Sequence, residues 1–321
     1  MRGYLAAVLF SAIVRLALGY QGEPCNGHVE LCSRPYNNVS FACTHNAYSY
    51  PPPLDLFALN QQNPIEQQLA DGVRAFMLDV VKPIISNSND VLDSVHLCHE
   101  SCLLIDKGKF ADTLSVIKKF MDENQREVIT LIIENAGEFV PEELAPSFEQ
   151  SGISAYAYTP LFYPTDARNG YPWPTLGRLI EENQRLITFM DDQANTTKVP
   201  YILPQWEYVV ETPYANVNPV KEFPCNQDRP HDGIPRDLIV MNHFVYNRMT
   251  VGDRNIDMPI LCIQVEGGGY NGIDSLHQHW ETCKTVWGPD RVPNFITLDY
   301  YNVGNGGIFQ LVDEINGVNN Q

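Results

Sequence analysis

The chain has 321 residues, 44% of them hydrophobic, which is enough for one large α/β barrel or two ordinary domains. Its 39 acidic residues outnumber 21 basic ones, for a formal charge of −18. A field of that sign repels nucleic acid and strongly anionic membranes, so no nucleic-acid partner is expected and any lipid chemistry must rest on local groups.

Residues 1–19 read as a secretory leader: Arg2, then the apolar stretch Tyr4–Val14, then Ala17-Leu18-Gly19 as a small-residue cleavage site, with Arg15 interrupting the pattern. A secreted, extracellular protein with one mature domain over 20–321 is the expectation. No later stretch approaches the ~18 apolar residues of a membrane span, and no apolar C-terminal tail suggests a lipid anchor. All eight cysteines, Cys25, Cys32, Cys43, Cys98, Cys102, Cys225, Cys262 and Cys283, follow the leader. An even count in a secreted chain favours disulfides, with connectivity left open. The triplets Asn38-Val39-Ser40 and Asn195-Thr196-Thr197 are N-glycosylation sequons and fit the same location. A monomer is expected.

From residue 41 onward, apolar runs alternate with helical patterns. Strands are predicted at 41–45, 73–81, 95–99, 128–134, 186–191, 208–212, 239–244 and 295–299. Helices are predicted at 63–71, 110–123, 142–150, 176–183 and 308–315. The second of these periods is clear in Phe110, Leu114, Ile117, Phe120 and Met121, one face of a helix. Near-continuous apolar strands separated by helices imply a parallel sheet covered on both sides. Eight such strands in this order predict a single TIM-type (β/α)8 barrel. The Pro- and Asn-rich stretch 213–236 is a long loop insertion, and Pro51-Pro52-Pro53 is a stiff loop.

Several strands end in a functional group: Cys43-Thr44-His45-Asn46, Gly72 to Asp79, and Leu97-Cys98-His99. In a parallel barrel those ends share one face, where catalytic groups gather. Two imidazoles and a carboxylate brought together there suggest acid–base chemistry near a metal. His96 competes with His99, but at three residues' distance on one strand the two point to opposite faces.

The segments Thr44-His45-Asn46-Ala47-Tyr48, Gln68 to Arg74, Leu97-Cys98-His99 and Glu127 to Asn135, followed by Trp173-Pro174-Thr175-Leu176, Glu211-Thr212, Asn242-His243 and Pro293 to Asp299, together resemble the X-domain family of phosphatidylinositol-specific phospholipases C. The likeness is to its secreted, single-domain, PLC-like phosphodiesterase branch and spans about residues 40–316. It implies a TIM-type barrel that cleaves a phosphodiester, with an inositol lipid as substrate and a transient membrane surface as partner. By position, His45 is the base that activates the attacking hydroxyl and His99 the acid that protonates the leaving oxygen.

The calcium-dependent members use an Asn after the first His, an acidic pair on the second strand and a Glu ending the fourth. Here Asn46, Asp79 and Glu134 match, while Met77 replaces one acid, so three oxygen ligands remain for Ca²⁺ or another divalent cation, with Glu211 a further carboxylate that could complete the set. The metal-independent members place an Arg near Asp79's position; Arg74 lies earlier on that strand. They also pair the first His with a late Asp, a part Asp299 can take. Asn242 and His243 end the preceding strand and are read with Arg74 and Glu211 as supporting or substrate-binding residues. Tyr48, Tyr50 and Phe57 are read as a rim that touches a membrane. Two other readings compete: a glycoside hydrolase barrel using Glu134 and Glu211, and an inert lipid- or carbohydrate-binding barrel, which the loss of the acid at Met77 would favour.

Overall fold

The fold was analysed in a computed structural model of the chain, which describes residues 22–51, 59–83, 94–98, 102, 106–160, 172–251, 254–259 and 266–318. The expected leader, Phe57, His99 and Cys262 lie outside them.

Eight parallel strands form a curled α/β sheet in the order β7-β6-β5-β2-β1-β12-β9-β8. They are β1 (Phe41–Thr44), β2 (Ala75–Val81), β5 (Ile129–Glu134), β6 (Leu186–Met190), β7 (Ile202–Pro204), β8 (Val209–Glu211), β9 (Leu238–Asn242) and β12 (Phe295–Leu298). Among the described residues β7 and β8 are the two ends of this path, so the barrel is open between them. Two short strands, β3 (His96–Cys98) and β4 (Asp106–Lys109), hang from β2, and β10 (Tyr246–Val251) pairs with β11 (Arg254–Pro259) in a separate hairpin.

Side chains alternate along each strand, and the alternation divides the core in two. Phe76, Leu78, Leu131, Ile133, Ile296 and Leu298 point outward into a cluster shared with the helices, including Leu114 and Ile117 of helix Phe110–Glu123. Phe41, Cys43, Ala75, Ile132, Ile187, Phe189, Val240 and Phe295 point inward and fill the barrel. Tyr36 and Trp173 pack against this inner cluster, and Tyr36 Oη lies 2.6 Å from Thr130 Oγ1.

The predicted strands are present, with one exchange of roles. Strand 95–99 is not a barrel strand: His96 and Leu97 pair antiparallel with Val81 and Val80. Its place in the eight is taken by Ile202–Pro204, three residues that are too short to show a period. Helix Ile273–Trp287 has no counterpart in the sequence reading; its polar residues, among them His277, Gln278 and Glu281, dilute the apolar period. Segment 213–236 is irregular, as expected, and is tied back to helix 273–287 by the Cys225–Cys283 disulfide. Among the described residues Cys25–Cys32 and Cys98–Cys102 are the other disulfides, and Cys43 is a free thiol buried inside the barrel. No described helix is long and apolar enough to cross a membrane.

Candidate active site

At the C-terminal ends of the strands a cavity of about 200 Å³ opens into the inner face of the barrel. Counting in twos from the inward core residues predicts its lining. Phe41 and Cys43 lead to His45, Ala75 and Met77 to Asp79, Thr130 and Ile132 to Glu134, Ile187 and Phe189 to Asp191. Val209 leads to Glu211, Leu238 and Val240 to Asn242, and Phe295 and Thr297 to Asp299. All but Asp299 line the cavity directly, together with Asn46, Met77 and Cys98.

Asp299 stands behind His45 instead. Its Oδ1 lies 2.9 Å from His45 Nδ1 and also accepts from Asn60 Nδ2 at 2.9 Å. The imidazole lies flat on Phe244, ring centroids 4.2 Å apart and planes 2° apart. Gln61 fixes the backbone beneath by donating to the His45 and Leu298 carbonyls. With Nδ1 occupied, Nε2 is the nitrogen left for a ligand. Burial alone would lower the pKa of His45, but the charge and hydrogen bond of Asp299, aided by Asp79 and Glu134, outweigh it and raise the pKa.

Asp79 and Glu134 are paired in register on adjacent strands. Burial, followed by the charge of Glu134, pushes Asp79 up to about 8. The Tyr48 hydroxyl lies 2.9 Å from Asp79 Oδ2 and 3.0 Å from the Cys98 carbonyl oxygen. As a donor to the carboxylate, the Tyr48 hydroxyl works against that shift, and burial and Glu134 outweigh it. Asp191, pushed up to about 6 chiefly by burial, accepts from the Asn135 N–H at 2.8 Å. Asn46 sits at φ 43°, a left-handed conformation in which Asn is among the better tolerated residues, and its amide is buried beside Asn60.

Across the cavity Glu211 is buried and ion-paired to Arg229. The guanidinium of Arg229 lies over the Tyr214 ring at 4.5 Å and the Trp206 ring at 5.4 Å. Asn242 donates to the Thr212 carbonyl at 2.8 Å, which orients its amide along the wall.

Two expected supporting residues lie elsewhere. Arg74 immediately precedes β2 rather than ending it, on the outward register and at the opposite mouth of the barrel. There it donates to Glu127 at 2.6 Å and covers Phe120. His243 is one residue past Asn242, and that single step turns it outward. Its Nδ1 meets His279 Nδ1 at 2.9 Å, its Nε2 lies 2.7 Å from the Tyr270 carbonyl, and burial pulls it down to about 4. Tyr48 is buried behind Asp79, not a membrane rim. The sequence reading missed Asp191, although it ended a predicted strand in the same inward register as its neighbours. Phe244 carries the same signal, two residues beyond inward Asn242 at the end of a predicted strand, whereas Arg229 and Tyr246 give none, because they sit in irregular backbone and at the base of the hairpin.

The fold agrees with the comparisons. The family model described as PI-PLC X 1 matches residues 31–313, and the chain belongs to that family. It is 31% identical to PI-PLC X domain-containing protein 1 of Arthroderma benhamiae over 305 residues, covering 94% of this chain and 93% of that protein. It is also 31% identical to an uncharacterized secreted protein of the same organism, covering 92% of this chain but only 64% of the relative's length. Among solved structures, the phosphatidylinositol-specific phospholipase C of Listeria monocytogenes shares the fold with a TM-score of 0.54 at 14% identity, covering 91% of this chain and 98% of its own.

Proposed function

We propose that the chain is a phosphodiesterase of the phospholipase C type, acting on an inositol phospholipid or a closely related phosphodiester. The observation that carries this reading is His45, held by Asp299 through Nδ1 and stacked on Phe244, with its remaining nitrogen directed to a polar cavity. An imidazole oriented in this way is a competent base near neutral pH. His45 takes the proton of a substrate hydroxyl, that oxygen bonds to phosphorus, and the bond from phosphorus to the leaving oxygen breaks. The resemblance assigns His99 to protonate that oxygen, and an attacking hydroxyl on the neighbouring inositol carbon gives a cyclic phosphate. His99 directly follows Cys98, a cavity residue, inside the five-residue ring closed by Cys98–Cys102. Opening that ring with Cys98→Ser and Cys102→Ser is expected to lower kcat about tenfold with little change in KM, because a loosened general acid loses alignment; an unchanged kcat would separate the disulfide from catalysis.

Arg229 supplies the positive charge that the sequence reading looked for on β2. Guanidinium groups suit phosphate oxygens and stack on aromatic rings. Arg229→Ala is expected to reduce kcat/KM about 100-fold, and it leaves buried Glu211 unpaired at a cost of roughly 1–3 kcal/mol. Arg229→Ala combined with Glu211→Gln should recover the stability but not the activity, as read by thermal melts and steady-state rates. The pairing of Glu211 with Arg229 also commits one of the two carboxylates that a glycosidase would need.

The donor set fits a divalent cation. Asn46, Asp79, Glu134 and Asp191 line one cavity, and the raised pKa values of Asp79 and Asp191 mark an excess of buried negative charge. These four would hold Ca²⁺, with Glu211 kept by Arg229. The three carboxylates do not gather within 4.8 Å as a set, so such an ion would keep water in its shell. When bound, it would neutralise phosphate charge. A panel of inositol lipids and soluble diesters, assayed with Ca²⁺ and with chelator, tests the reading. Release of a cyclic inositol phosphate supports it, and no cleavage of any diester in either condition overturns it.

A further inference from the structure

The two sequons differ sharply in the folded chain, and the difference bears on a modification that the phosphodiesterase reading does not use. Asn195 is exposed in the turn between β6 and β7, four residues after Asp191 at the cavity. Its Oδ1 accepts from the Thr197 hydroxyl at 2.6 Å and from the Thr197 N–H at 3.1 Å. Among the described residues nothing engages its Nδ2. The side-chain bonds that shape the sequon span only two residues, so a chain that has not yet folded can form them. Asn38 is also exposed, but its partner Ser40 is buried. Asn316 clamps Ser40's backbone N–H and carbonyl at 2.9 Å each, and the Ser40 hydroxyl has no hydrogen-bond partner and so no bond to Asn38.

We infer that Asn195 is an N-glycan acceptor, and that the glycan stands on the face of the barrel that carries the catalytic cavity. The donor is a lipid-pyrophosphate-linked oligosaccharide. The Nδ2 of Asn195 bonds to the anomeric carbon, the bond from that carbon to the pyrophosphate oxygen breaks, and the pyrophosphate leaves with the electron pair while one amide proton is lost to base. The hydroxyl bond from Thr197 polarises the amide carbonyl and holds Nδ2 outward for that attack. In the fold the turn tolerates the added mass: Asn195, Thr197 and Lys198 are all exposed. The turn is anchored from below by buried Val199 and by the contact of Lys198 with Glu142 at 3.7 Å, neither of which involves Nδ2. Once the chain has folded, Asn38 is the poorer acceptor, because its hydroxyl partner is withdrawn into the core.

The full chain is expressed in a eukaryotic secretory host behind its own residues 1–19 and, in parallel, behind a host leader, and the purified protein is digested with an amide-cleaving glycosidase. The expected result is a mass loss of one glycan, with conversion of Asn195 to Asp in the peptide map. Asn195→Gln and Thr197→Ala abolish the shift, Thr197→Ser keeps part of it, and Asn38→Gln leaves most of it. A shift that survives Asn195→Gln, or a product secreted behind the host leader with no shift, overturns the inference. A glycan found only with the host leader supports the acceptor and places the failure in residues 1–19.

Discussion

His45→Ala is expected to lower kcat for phosphodiester cleavage by about 10³-fold, within the range that general acid–base groups supply. The loss should leave substrate binding nearly intact, because the imidazole acts on the proton being moved. Asp299→Asn is the more informative variant. Its side chain keeps the shape and can still accept from Asn60, but it removes the charge that lifts His45 against the effect of burial. The base must be neutral to act, so the rising limb of kcat/KM with pH reports its ionisation. Asp299 raises the pKa of His45, so removing the charge lets burial dominate and moves that limb to lower pH. A kcat loss of about 100-fold should accompany the shift, since the Nδ1 tautomer is no longer enforced. A limb that stays in place in Asp299→Asn, or turnover that survives in His45→Ala, would remove His45 from the role of base. Melting curves of both variants establish that the fold persists.

The second large effect concerns stability. Asp79 has an unfolded pKa near 3.9 and a folded value of about 8. A raised carboxyl pKa means that the folded state holds a proton the unfolded chain releases. The stability linked to Asp79 is therefore fully present below about pH 4 and is lost as pH rises through 8. The loss is expected to be on the order of 2–4 kcal/mol, discounted for the charge shared with Glu134, or about 5 °C or more in Tm for a chain of this size. Asp79→Asn should flatten that decline and be the more stable protein at pH 8. Calcium should reverse the decline in the unmodified chain and do little in Asp79→Asn, because an ion bound only by the folded state stabilises it by mass action, by about 2.7 kcal/mol at 100 times Kd. Differential scanning calorimetry from pH 4 to 9, with Ca²⁺ and with chelator, measures all three. A Tm that does not fall with pH would sink the charge argument, and one that Ca²⁺ leaves unmoved at pH 8 would remove the cation.

Much of this site can be read from the sequence because a strand has a period of two and a parallel barrel collects its strand ends at one mouth. His45, Asp79, Glu134, Glu211, Asn242 and Asp299 all end apolar runs, and all occupy the inward register. The same count explains the two misplacements. Arg74 shares the outward register of Phe76, and His243 lies one step beyond inward Asn242, so parity turns both away from the cavity. Asp191 satisfied both conditions and was passed over.

What the chain determines by itself is the set of groups at the catalytic mouth, because alternation and strand direction are local consequences of backbone geometry. The partners that tune those groups came only from the tertiary structure. Arg229 on Glu211, Phe244 under His45, Asn60 on Asp299 and Cys98 beside Tyr48 join residues whose approach is set by packing and by the curl of the sheet. Side-chain periodicity carries no information across loops, whereas the field that moves a proton onto Asp79 or His45 depends on distances only the folded chain sets.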